Sequence, residues 1–140
     1  TNHCCKMKQS LAHIAIVVRD YDEAIDFYCN KLHFTLEEDT VLTASKRWVL
    51  VRPAGSVGCA LLLAQAANET QLTRVGNQTG GRVFLFLYTD DFERDIKNLE
   101  EHKIKIVRGP VQETYGKVCV FEDLYGNLWD LIEPAKSAND

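Results

Sequence analysis

The sequence has no apolar stretch near the ~18 to 20 residues that a membrane-spanning helix requires, so that mode of membrane attachment is not expected. It has no excess of basic residues either. Sixteen Lys and Arg are interspersed with twenty Asp and Glu, for a net charge of −4. No basic stripe is left to neutralise a phosphate backbone, and nucleic acid is not expected as a partner. The five cysteines, Cys4, Cys5, Cys29, Cys59 and Cys119, include no Cys-x-x-Cys or other ligand spacing, and their number is odd. Reduced, mostly buried thiols are therefore expected rather than a disulfide framework or a zinc site. The first residues lack the charged, apolar and small-residue regions of a signal peptide, and the expected location is cytoplasmic. Met7 is the single methionine and directly precedes the first patterned segment, so Thr1 to Lys6 read as an extraneous or frayed tail. Asn68-Glu69-Thr70 and Asn77-Gln78-Thr79 match the glycosylation pattern, which carries little weight without a secretory signal.

What the chain does have is an internal echo. Val18-Arg19-Asp20-Tyr21-Asp22-Glu23-Ala24-Ile25 is matched 71 positions later by Thr89-Asp90-Asp91-Phe92-Glu93-Arg94-Asp95-Ile96. Asp20 aligns with Asp91, Tyr21 with Phe92 and Ile25 with Ile96, and each copy lies between strand-like runs. A repeat of this length is too long for a solenoid unit and too short for a free domain. With 140 residues, 46% of them hydrophobic, the chain can build one ordinary core. The reading is one α+β domain over residues 10–134, made of a first module (10–66), a linker (67–80) and a second module (81–134), with tails at 1–9 and 135–140.

Leu11 to Val18 is a β-branched run suited to a buried strand, and Asp20 followed by Glu23 predicts a helix start. Tyr21, Ile25, Tyr28 and Leu32 recur at helical spacing with polar residues between them, which predicts an amphipathic helix against a sheet. Strands are predicted at Leu36 to Thr43, Lys46 to Arg52 and Cys59 to Gln65. Ala66 to Gly81 is polar and long for a loop, so a lid or an interface arm is a possible role for it. The second half repeats the order. A strand at Arg82 to Thr89 sets Phe84, Phe86 and Tyr88 on one face; a helix from Phe92 to near His102 follows, then strands at Ile104 to Arg108, Lys117 to Glu122 and Leu128 to Glu133, with a turn at Asp123 to Asn127.

The order of elements resembles the vicinal-oxygen-chelate superfamily, which includes glyoxalase I, bleomycin-resistance proteins, fosfomycin-resistance enzymes and extradiol dioxygenases. The resemblance spans Leu11 to Pro134. It rests on Leu11-Ala12-His13-Ile14-Ala15-Ile16-Val17-Val18, on Ala24-Ile25-Asp26-Phe27-Tyr28, and on Phe121 to Pro134 with its Glu122-Asp123-Leu124-Tyr125-Gly126-Asn127-Leu128-Trp129-Asp130 core. It implies two tandem βαβββ modules forming a curled mixed sheet around a cavity, commonly completed by dimerisation. In the metal enzymes of the superfamily, four inward side chains hold a divalent metal that acts as a Lewis acid.

Carried over residue by residue, His13 falls at the first ligand position and Asp130 at the last, where the family usually has Glu. Ala60 falls where a Glu is expected and Phe84 where a His is expected. A catalytic site normally supplies at least three protein ligands, so no tightly held cofactor is expected and any divalent metal would bind weakly. Each residue has a plainer alternative. His13 is either a cavity residue or a structural hydrogen-bonding one, and Asp130 either faces the cavity or forms a salt bridge. Trp48, Phe84 and Tyr88 either line an aromatic pocket or fill the core, and Phe86 is assigned to the core. Glu122 is a pocket residue or a solvent-facing one.

The leading expectation is a homodimeric small-molecule-binding protein that holds a cationic or aromatic drug-like ligand through Trp48, Phe84, Tyr88, Glu122 and Asp130. The alternative is a divergent lyase or isomerase of the glyoxalase I type, with His13 as base and Asp130 as its partner. A third possibility is a sensing role that relays ligand occupancy to a partner chain.

Overall fold

The computed structural model of the protein describes residues 6–136. The expected tails fall largely outside them, and so do His3, Cys4 and Cys5. Each half of the chain builds its own four-stranded sheet. The first contains β1 (His13–Val18), β2 (Thr35–Val41), β3 (Arg47–Arg52) and β4 (Ala60–Gln65) in the order β1-β4-β3-β2. The second contains β5 (Val83–Tyr88), β6 (Ile106–Glu113), β7 (Gly116–Glu122) and β8 (Leu128–Pro134) in the order β5-β8-β7-β6. In each sheet the first strand runs parallel to the last and the remaining pairs are antiparallel. A βαβββ unit must give this pattern, because the helix returns the chain in a crossover and the later strands follow by hairpins. The α+β fold with two tandem modules is thus as expected, with the mixed strands divided between two sheets.

The repeat is visible in the caps. Asp20 accepts a hydrogen bond from the backbone N–H of Glu23 and opens α1 (Tyr21–Ile25), while Asp91 does the same for Arg94 and opens α3 (Phe92–Glu101). The aligned Tyr21 and Phe92 are both buried. The first helix continues past Ile25 as a π-helix over Asp26–Lys31, and this widened stretch carries the adjacent Phe27 and Tyr28, both into the core. A uniform 3.6-residue period does not anticipate that pair. Strand β6 runs five residues beyond the Arg108 end expected for it. Pro110 is tolerated there because β6 is an edge strand, with no ladder partner on its outer side. Cys119 is buried and Cys29 and Cys59 half-buried, all as free thiols.

The connection between the modules is anchored rather than loose. Asn68 caps the short helix α2 (Glu69–Leu72). Gln78 then reaches both modules, its side-chain amide donating to the Val17 carbonyl at 3.3 Å and its backbone N–H to Asn127 Oδ1 at 3.4 Å. Gly76 passes so close to the turn before β8 that a Cβ there would stand 1.9 Å from the Tyr125 carbonyl oxygen, at a φ of +74°. Only glycine fits that approach.

One apolar core serves both modules. Ile16, Val18, Val49, Val51, Leu61 and Leu63 of the first sheet join Tyr21, Phe27 and Tyr28 of the first helix. The same cluster takes in Phe92, Leu99, Cys119, Phe121, Trp129 and Leu131 of the second module. At its centre the Tyr28 hydroxyl, fully buried, donates to Asp123 Oδ2 at 2.6 Å. Asp123 is only 5% exposed and takes five further hydrogen bonds: the backbone N–H groups of Tyr125, Gly126 and Asn127 on Oδ1, and Asn127 Nδ2 and Trp129 Nε1 on Oδ2. Burial, and after it the Asp123 carboxylate, push the Tyr28 hydroxyl pKa well above the usual phenol value, so it stays a donor. Two further ties cross the same boundary: the Tyr125 hydroxyl donates to Glu23 Oε1 at 2.8 Å, and Asn98 bonds both Lys31 O and His33 Nε2.

These ties differ in weight. A buried hydrogen bond to a charged group contributes about 1.5–3 kcal/mol, whereas an exposed ion pair such as Arg19–Glu23 contributes about 0.5 kcal/mol or less. Tyr28→Phe is therefore expected to lower the free energy of urea unfolding by about 1.5–3 kcal/mol, and Arg19→Ala by about 0.5 kcal/mol or less. Equal losses for the two variants would contradict this ranking.

Candidate functional site

Because the helices cover one face of each sheet, the alternate residues of the strands form two outward faces. In the first sheet His13 pairs with Ala60, Ala15 with Leu62, and Leu62 in turn with Leu50, so these side chains share the face away from the core. Trp48 alternates with the buried Val49 onto the same face, where its ring meets that of His13 edge-on at 5.9 Å. Near its rim Arg52 and Glu37 form a salt bridge. The hydrogen bond from Arg52 holds the Glu37 carboxyl below the usual carboxylate range.

In the second sheet the register gives two rows across four strands. One is Phe86–Asp130–Val120–Arg108; the other is Tyr88–Ile132–Val118–Val111. Leu85, Leu87, Trp129, Leu131, Cys119 and Phe121 fill the opposite, core-facing side. The register of β5 differs from the expected one. An irregularity between Val83 and Leu85 places Phe84 at the bulge, where it packs against the core, and Phe86 takes the position opposite Asp130. Phe84, Phe86 and Tyr88 thus do not share a face, and Phe86, assigned to the core from sequence, is 63% exposed beside a 69% exposed Tyr88. A bulge has no signature in the alternation itself, so sequence periodicity cannot register it.

A cavity of about 260 Å³ lies on this face, lined by Arg108, Val111, Glu113, Tyr115, Val120 and Asp130 among others. Asp130 Oδ1 is buried there without a hydrogen-bond partner among the described residues. Burial raises the Asp130 carboxyl pKa, and the nearby Arg108 guanidinium opposes that shift in part. Burial first, and Asp130 second, push the Cys119 thiol behind it up to about 12, so Cys119 is an inert core thiol. Arg108 is not among the sequence-based candidates; its pairing with Val120, which stands opposite Asp130, brings it to the site.

A second cavity, of about 220 Å³, lies between the β2–β3 hairpin and the start of α1, lined by Tyr21, Val41, Lys46, Arg47 and Gln65 among others. Its main charge is already satisfied: Arg47 bonds Asp39 at 2.7 Å and Asp22 at 2.9 Å and lies over the Tyr21 ring. Those two carboxylates hold the Arg47 pKa above its ordinary value. Among the described residues, the one buried side-chain polar atom without a hydrogen-bond partner, Asp130 Oδ1, lies at the first of these cavities. The 66–81 connection lines neither, apart from the adjoining Gln65 at the end of β4.

His13 and Asp130 stand on different sheets of the chain, and neither cavity contains both. Glu122 lies at the end of β7, 3.9 Å from Lys105. Among the described residues no three His, Cys, Asp or Glu side chains converge as a metal site would require. The residues opposite His13 and Asp130, Ala60 and Phe86, carry no ligand atom on their side chains. Within one chain the donor set does not fit a divalent metal.

Two sheets of order 1-4-3-2 with matching helices, each with its outward face open, define a paired-module α+β protein of the kind the sequence resembles. The chain belongs to the Glyoxalase/Bleomycin resistance protein/Dioxygenase superfamily, whose family model matches residues 10–131. An uncharacterized protein of Shewanella frigidimarina (strain NCIMB 400) is 61% identical over 128 residues, covering 91% of this chain and 95% of the relative. Among solved structures, TnmS3, an antibiotic binding protein from Streptomyces sp. CB03234, is 27% identical with a TM-score of 0.73, covering 91% of this chain and 98% of the other. UcmS2 is 25% identical with a TM-score of 0.78, covering 91% and 99%.

The raised Asp130 pKa makes a stability prediction. A carboxyl whose folded-state value lies above its unfolded one near 3.8 contributes stability that is full below that value and is lost as pH rises through the folded value. At neutral pH the ionised Asp130 thus works against folding. Asp130→Asn is expected to raise Tm at pH 7 by roughly 2–4 °C for a domain of this size, and the advantage should shrink as pH falls through the range just above 3.8. Thermal melts across pH check this, and a variant less stable than the parent at pH 7 would contradict it.

Proposed function

We propose that this protein binds a small organic ligand on the outward face of its second sheet, around Asp130, and that a second copy of the chain closes the site. The observation that carries the reading is Asp130 Oδ1, buried and without a hydrogen-bond partner among the described residues, in a cavity that also presents Arg108, Glu113, Val120 and Tyr115. Leaving such an atom unpaired costs about 1–3 kcal/mol, and sites kept at a cost in stability are typical of binding surfaces. Similarity to TnmS3, described as an antibiotic binding protein, supports the same reading.

The cavity volume bears on the second copy. About 260 Å³ falls short of the roughly 300–1,000 Å³ of ligand pockets, and it is bounded by one sheet alone. Exposed Val111 and Tyr115 line it, and exposed Phe86 and Tyr88 stand on the same face of the sheet, on β5 beside Asp130 and Ile132, an apolar surface that calls for cover. The outward face of another chain's first sheet, with His13, Trp48 and Leu50, offers a wall of matching aromatic character. In that assembly no resident metal is expected, because Ala60 and Phe86 stand opposite His13 and Asp130.

A glyoxalase-type lyase or isomerase is the second reading, and the placement of its two residues limits it. With His13 and Asp130 on different sheets, a proton-transfer pair forms only between His13 of one copy and Asp130 of another.

Sedimentation at about 10 μM is expected to give the mass of two chains, and a clean monomer would contradict the closed site. Elemental analysis after incubation with Ni, Zn, Mn and Fe(II) salts and desalting is expected to find well under one metal per chain. Near-stoichiometric metal would favour the enzyme reading.

A further inference from the structure

We propose that the ligand is an uncharged planar molecule with a hydrogen-bond donor at one end and an acceptor at the other, the donor meeting Asp130 and the acceptor meeting Arg108. This rests on the site reading above and adds the polarity of the ligand to it.

The argument begins with the charges that line the cavity. Asp130, Arg108 and Glu113 all border it. A cationic ligand would gain Asp130 but face the Arg108 guanidinium, and an anionic one would gain Arg108 but face two carboxylates. Inside a partly desolvated cavity each mismatch is costly, because burying a charge beside a like charge loses both hydration and Coulomb energy. A neutral ligand avoids both penalties and still pairs each group. Asp130 Oδ1 accepts only, and Arg108 donates only, so the two ends of the ligand are distinguished chemically.

The register sets the scale. Phe86, Asp130, Val120 and Arg108 follow one another across β5, β8, β7 and β6, so Asp130 and Arg108 are two strands apart, or about 10 Å at the backbone. That spacing is about the length of a two-ring molecule with a polar group at each end. Val120, 5% exposed, lines the cavity between the two polar groups, and the exposed Phe86 and Tyr88 stand on β5 at the Asp130 end as aromatic surfaces for stacking. A planar ring system spanning Val120 is the shape that meets these contacts together.

Four naphthalenes test the proposal by isothermal titration at pH 6.5: 6-acetyl-2-naphthol, its methyl ether, 2-naphthylmethylammonium and 2-naphthoate. The acetylnaphthol is expected to bind about tenfold tighter than its methyl ether and both charged probes. Asp130→Leu should erase the preference for the free hydroxyl, and Arg108→Met should weaken the acetylnaphthol by about fivefold while leaving that preference intact. Because Arg108 is exposed, its variant keeps the test informative should Asp130→Leu fold poorly. Equal binding of the naphthol and its ether, or tightest binding of a charged probe, would overturn this inference. The site reading would survive that result if Phe86→Ala still weakened every probe. Absence of binding by all four up to about 1 mM, or indifference of every probe to Phe86→Ala, would instead overturn the site reading itself.

Discussion

Asp123 receives six hydrogen bonds, and five of them come from its own module. The sixth, from Tyr28, comes from the other. The local five close the turn before β8 and fix the indole of Trp129; the remaining one fastens the first helix to that turn. Around it Phe34, Tyr28, Trp129 and Phe121 make ring contacts at 5.6–6.0 Å, so the polar tie sits inside the aromatic packing that it aligns. A buried carboxylate is tolerable only when its lone pairs are satisfied, and here they are. The rest of the molecule depends on this junction, because it decides which faces of the two sheets are used up in holding the modules together.

With the helices committed to the shared core, each sheet has one face left over. The protein then contains two kinds of shielded aspartate. Asp123, with every lone pair engaged, contributes order. Asp130 has an oxygen engaged by nothing among the described residues, on a face where Phe86 and Tyr88 project outward. Folding alone gives no reason for the second arrangement, since an apolar residue on β8 would suit Val120 and Ile132 better. The contrast between the two is the physical basis for assigning structure to one and ligand contact to the other.

Much of this was legible in the sequence. Asp20 and Asp91 mark two helix starts at matched positions, and the alternation around Trp129-Asp130-Leu131 shows a carboxylate on the face opposite two core residues. The family resemblance marks His13 and Asp130 as cavity-facing ligand positions, and each lies on the face of its sheet away from the core. What could not be read were features set by tertiary contacts. The bulge between Val83 and Leu85 sends Phe84 to the core and Phe86 outward, and no local pattern reports it. Arg108 enters the site through its pairing with Val120, itself opposite Asp130, a register set between strands distant in sequence. Tyr28 and Asp123 are 95 residues apart, and neither residue's local sequence points to the other. The polar 66–81 connection reads from composition as a lid or interface arm, whereas Gly76 and Gln78 fasten it to the module boundary.

The central claim is that the face around Asp130 is where a ligand sits, and amide chemical-shift mapping with 6-acetyl-2-naphthol tests it most directly. The account predicts the largest shifts at Phe86, Arg108, Val118, Val120 and Asp130, with Tyr21, Ser45 and Arg47 unmoved. Shifts concentrated at Tyr21, Ser45 and Arg47, with the β8 amides silent, would contradict it and assign binding to the hairpin cavity instead.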